Sequence, residues 1–92
     1  MSSPDVDSFL FDEDNEAKIA VHGLLPEQLL AVLDGPWVII PNRARRRAQY
    51  LIIGRDTVGS CLAIPIEMTH YPGVWRPVTA WPCKYHEEVL LR

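Results

Sequence analysis

The stretch YLIIGRDTVGSCLAIPIEM, residues 50–68, decides the fold. It covers two β-rich runs, QYLIIGR (49–55, which begins one residue earlier) and CLAIPIEM (61–68), separated by DTVGS, a segment with turn chemistry. Working outward, THYPG (69–73) leads to a further β-rich run, VWRPVTAW (74–81). In the other direction PNRARRRA (41–48) leads back to WVII (37–40). Four consecutive strands with short connections imply an antiparallel meander. Before Trp37 the period changes. DEDNEAKIAVHG (12–23) reads as a helix with acids in its first turn and Gly23 at its C-terminal cap. LLPEQLLAVLDGP (24–36) reads as a second, entered at Pro26 and stopped by Gly35-Pro36, with Leu29, Leu30, Val32 and Leu33 as its apolar stripe. FLFD (9–12) reads as a short strand, and a short helix closes the C-terminus. The class is therefore α+β: a two-helix hairpin packed on one face of a four-stranded antiparallel meander, with the other face open for binding.

Ninety-two residues support one domain, assigned to 9–92 after a flexible leader at 1–8. No run approaches the roughly 18 apolar residues of a membrane span. The acidic N-terminus lacks the basic and apolar regions of a signal peptide. Cys61 and Cys83 lack metal-ligand spacing and are read as buried free thiols, which fits a reducing cytoplasm. The net charge of −3 is unevenly spread. Residues 1–34 hold eight acids and one base, whereas residues 35–92 hold eight bases and four acids. The C-terminal half is thus the part suited to a polyanion.

The ordered segments FDEDNEAKIAVHGLLPEQLLAVL, YLIIGRDTVGSCLAIPIEM and VWRPVTAWP resemble the BrnT family of toxins from bacterial type II toxin–antitoxin systems. The resemblance spans roughly residues 9–88. It implies a RelE-like fold, RNA cleavage that inhibits translation, and neutralisation by a partner antitoxin, commonly a ribbon-helix-helix DNA binder. Trp81 stands where the family pattern has a second arginine, and Leu25-Pro26-Glu27 opens the second helix without a hydroxyl cap.

Metal-free RNA cleavage needs a base for the 2′-hydroxyl, an acid for the leaving oxygen, and a cation on the phosphorane-like transition state. Arg76 and Arg55 are the candidate cations, because a guanidinium meets phosphate oxygens as a fork. Each also has a structural reading. Arg76 would pair with Glu67 or an N-terminal acid, and Arg55 would close a strand beside its turn. Alternation puts Val74, Arg76, Val78 and Ala80 on one strand face. His22 is the candidate acid or base, since imidazole titrates near neutral pH; its structural reading is a helix-end residue. Arg43, Arg45, Arg46 and Arg47 are candidates for contact with RNA phosphates or an acidic antitoxin segment, and Tyr50 and Trp81 for stacking or partner contact. His22, His70 and His86 lack ligand spacing, so neither metal nor cofactor is expected. The first reading is a cytoplasmic ribonuclease toxin with RNA and an antitoxin as partners. The alternative is a catalytically inactive module of the same fold that acts by holding a protein.

Overall fold

The computed structural model describes residues 4–43 and 46–92; Arg45 of the arginine run and residues 1–3 of the leader lie outside them. The elements are β1 (Ser8–Phe9), α1 (Glu13–Val21), α2 (Pro26–Asp34), β2 (Trp37–Pro41), β3 (Tyr50–Arg55), β4 (Cys61–Met68), β5 (Val74–Pro77), β6 (Trp81–Pro82) and α3 (Tyr85–Glu88). A single 3-10 turn, Val89–Leu91, follows α3. The class is α+β, with a mixed sheet in the order β1-β5-β4-β3-β2 and β6 paired to β4. Among the described residues no helix is long and apolar enough to cross a membrane.

Local chemistry sets the helix ends. Asp12 caps α1 by accepting from the Asn15 amide at 2.9 Å, and the Asn15 side-chain oxygen in turn accepts from the Asp12 amide at 2.8 Å. Gly23 follows with φ of 75°, a left-handed position that glycine occupies without penalty. Pro26 opens α2 without a side-chain cap on its first amides, and the Gln28 side chain accepts from the Leu25 amide at 2.8 Å. Both helices cover one face of the sheet. There Ile19, Leu29 and Val32 meet Ile52, Leu62, Ile64, Ile66 and Trp75 in a fully enclosed core. Gly54 lies beneath α2, and a Cβ there would come within 2.5 Å of Val32. Its absence lets helix and sheet close.

The antiparallel meander from β2 to β5 is present, but four strands do not complete the sheet. β1 adds to β5 in parallel, Ser8 opposite Val74 and Phe9 opposite Trp75. Residues 5–8 therefore belong to the fold rather than to a leader. The Asp7 amide donates to the Gly73 carbonyl at 2.8 Å, and the Trp75 indole donates to the Asp5 carbonyl at 2.9 Å. The strand expected over 74–81 stops at Pro77. β5 pairs only Ile66 to Met68, which leaves the other end of β4 free for β6 to occupy opposite Leu62 and Ala63. The bend at 78–80 also breaks the expected alternation: Ala80 turns into the core instead of sharing the face of Arg76.

The cysteines are not free thiols. Cys61 on β4 and Cys83 after β6 form a disulfide with Cα atoms 5.2 Å apart, because the β6–β4 pairing brings them together. That bond withdraws the free-thiol argument for a reducing compartment.

Asn15 joins the layers at the β5 end. Its fully buried amide donates to the Leu10 and Pro77 carbonyls, both at 3.0 Å. Asn15→Ala would leave two carbonyls short of a donor and the Asp12 amide without its acceptor, removing one half of the reciprocal cap of α1. We expect a loss of about 2 kcal/mol in denaturant unfolding, with the slope against denaturant unchanged.

Candidate functional site: a basic groove on the second sheet face

The face of the sheet opposite α1 and α2 is only partly open. Even-numbered residues of β3 and β4 (Ile52, Ile64, Ile66) enter the core, so Leu51 and Pro65 point to the other side. The chain after β5 folds back over that side and forms a wall. Between wall and sheet lies a groove of about 710 Å³. Its floor is Ile40, Leu51 and Pro65, its wall Val78, Trp81 and Leu90, and its rim Arg43, Arg46, Arg47, Lys84 and His86. Four of the eight basic residues after Asp34 thus line one concavity in a protein of net charge −3.

The wall is held from within. The Trp81 indole donates to the Glu87 carboxylate at 3.1 and 3.2 Å, and the same carboxylate accepts from the Lys84 amide at 2.8 Å. Glu87 is 5% exposed, and these donors compensate its burial. The disulfide at Cys83 fixes the segment directly before Lys84 to β4.

The rim connects to a charge network at the β5 edge. Arg47 pairs with Glu67 at 2.9 Å, and Glu67 stands opposite Arg76 in the β4–β5 register. The Arg76 guanidinium makes four hydrogen bonds to three carboxylates. Two reach Asp12 at 2.7 and 3.0 Å, one reaches Glu67 at 2.9 Å, and one reaches Asp14 at 3.3 Å. The side chain is 12% exposed. Asp12 is held at about 2, foremost by the hydrogen bond from Arg76 and next by the Asn15 amide. Arg76 is shifted upward by the same bond, which outweighs its burial, with Glu67 adding to the effect. The structural pairing open to Arg76 from the sequence is the arrangement present.

The three residues named for catalysis are not brought together. Arg76 meets the N-terminal end of α1, whereas His22 is the exposed cap at its C-terminal end, about 15 Å away by helical rise. Arg55 ends β3, donates to the Gly59 carbonyl at 3.0 Å and lies 3.9 Å from Glu88. The turn beside it is organised by Asp56. Burial alone would raise the Asp56 carboxyl, but Gln28 and the amides of Ser60, Val58 and Gly59 hold it below the ordinary value. Tyr50 packs edge-on against Trp75, ring centres 5.6 Å apart, as part of the core's margin.

Of the named binding residues, Arg43, Arg46, Arg47 and Trp81 line the groove, whereas Tyr50 does not. Lys84 and His86 were not singled out as binding residues. They reach the site because the C-terminal segment folds back, for which the Cys61–Cys83 pair was the one available clue. Among the described residues no group of three or more His, Cys, Asp or Glu side chains converges as a metal ligand set. Chemically, the groove presents cations around an apolar floor and offers an imidazole at the rim, which suits a phosphate-bearing strand with bases to bury. Comparison with protein-family models, with curated proteins and with solved structures yields no match.

Proposed function

We propose that this chain is the RNA-directed toxin of a type II toxin–antitoxin pair, with a RelE-like mode of action, and that it seats single-stranded RNA in the basic groove. One observation carries the reading: four cations and a histidine rim a concavity with an apolar floor and a tryptophan wall, in a chain whose net charge is negative. Nonspecific surface charge would not concentrate in that way. Arg43, Arg46 and Lys84 meet phosphates, Trp81 offers a surface for a base, and His86 is the group placed to move a proton. An antitoxin with an acidic segment would neutralise the protein by occupying the same groove.

A second reading is favoured by the carboxylates around Arg76. With that guanidinium engaged by Asp12, Asp14 and Glu67, the protein would bind RNA or an acidic protein segment without cutting anything.

The test uses purified protein free of antitoxin, a labelled single-stranded RNA and the Arg43→Ala/Arg46→Ala variant. We expect the wild type to bind with a strong salt dependence, and the variant to lower the slope of log K against log salt by about 1.4, as loss of two phosphate contacts requires. An unchanged slope removes RNA from the groove. Cleavage by the wild type supports the toxin reading, and binding without cleavage, with and without ribosomes, supports the second. Arg76→Ala is a poor variant for this purpose, since loss of activity there would follow from loss of fold.

A further inference from the structure

β2 lies at an edge of the sheet, with β3 on its one paired side. The orientation of its free backbone groups follows from a single bond. The Asn42 amide donates to the Gln49 carbonyl at 3.0 Å, continuing the register in which Pro41 faces Tyr50. In an antiparallel ladder, residues that exchange bonds with the neighbour alternate with residues that face away. Val38 and Ile40 therefore turn their backbone groups toward β3, and Trp37, Ile39 and Pro41 turn theirs outward. Among the described residues no backbone partner meets these outward groups. The strand is WVIIP, with no charged residue to discourage pairing, and Pro41 interrupts the donors only at its end.

We propose that β2 is a self-pairing edge, joining β2 of a second copy antiparallel about a two-fold axis at Ile39. The strand is complementary to itself in that register. Ile39 faces Ile39 and exchanges two bonds. Trp37 faces Pro41 of the second copy and donates to its carbonyl, so the amide that proline lacks is missing only at the two ends. Centring the axis on Trp37 or Pro41 instead would shorten the ladder. Val38 and Ile40 of the two copies become neighbours on the groove face, completing an apolar cross-strand contact.

Charge favours a second copy over a foreign strand. The two-fold carries Arg43 of each copy toward the residues just before β2 of the other, where Asp34 ends α2. Neither Arg43 nor Asp34 has an ion-pair partner among the described residues. Because the axis runs perpendicular to the sheet, both grooves lie on the same face of one continuous sheet, with Arg43 of the two copies at opposite ends of the paired strands.

The test is sedimentation equilibrium of the intact protein up to about 1 mM, the range in which small interfaces associate. We expect the wild type to rise from 10.5 kDa toward twice that mass. Ile39→Pro removes an outward-facing amide without breaking a backbone bond to β3, and should weaken the dimer at least tenfold while circular dichroism stays native. Because Ile39 also packs at the core margin, charge variants provide an independent arm. Arg43→Asp should weaken association, and Arg43→Asp combined with Asp34→Arg should restore it. A wild type that stays at monomer mass overturns the proposal, as does a dimer indifferent to the charge exchange. Protection of the Trp37 and Ile39 amides from hydrogen exchange only in complex with another protein would assign the edge to a foreign strand and overturn self-pairing.

Discussion

Arg76→Met should lower the free energy of unfolding by about 2–4 kcal/mol, measured by denaturant titration at neutral pH. Removing one partner from a largely buried ionic cluster costs about 3–5 kcal/mol when the remaining charges are trapped. The lower figure applies here because Asp12 and Asp14 are 43% and 59% exposed and can turn to water. Glu67 is 18% exposed and keeps Arg47, so it is only partly stranded. A methionine fills the aliphatic space of the arginine and isolates the ionic loss from the loss of packing.

The same substitution should change the acid limb of stability. Asp12 is held at about 2 in the folded protein, against an ordinary 3.8. As pH falls through this interval the unfolded chain binds the proton first, so its binding favours unfolding. The contribution of Asp12 is complete above about 3.8 and is lost as pH falls through about 2. In Arg76→Met the main cause of the shift is gone, and the dependence of stability on pH between these values should flatten. An acid limb of undiminished slope would mean that Arg76 does not hold Asp12 in solution.

Cys83→Ser should cost about 3 kcal/mol. The disulfide closes a loop between residues 22 apart in sequence, and the chain-entropy account gives about this figure for a loop of that size. Wild type in reductant should unfold at the same denaturant concentration as the variant, whereas the oxidised wild type should be more resistant. The segment released is β6 and α3, which carries Trp81, Lys84 and His86. Trp81 emission should therefore shift toward that of exposed indole before the sheet itself melts. Equal stability with and without reductant would show that the loop is held by β6 pairing and the Glu87 bonds alone.

These two sites mark where the sequence was legible and where it was not. The ends of α1 and α2 were readable because capping acts over three or four residues. The first-turn acids and Gly23 of α1, and Pro26 and Gly35-Pro36 of α2, each start or stop a helix from within its own turn, whereas the Asp12–Asn15 pair emerged only in the structure. The four strands from Trp37 to Pro77 were readable for a related reason, since their runs and turns repeat over short intervals. Arg76 was the intermediate case. Its need for carboxylate partners followed from its place in a strand, and both Glu67 and the N-terminal acids were named candidates. That all three carboxylates meet it depends on a contact spanning 64 residues to Asp12.

By itself, the sequence determined the α+β class, two helices ahead of the sheet, the meander and the concentration of positive charge after residue 35. These follow from periodicity, capping and composition, which are properties of neighbouring residues. Only the tertiary structure decided that β1 runs parallel to β5, that β6 returns to β4, that the cysteines are joined, and that Lys84 and His86 complete the rim with the arginines. The physical reason is the length of β4. It extends beyond the end of β5, and the unpaired backbone left there draws the C-terminal segment back over the open face. No local pattern encodes that return, because the groups it satisfies lie about twenty residues earlier in the chain.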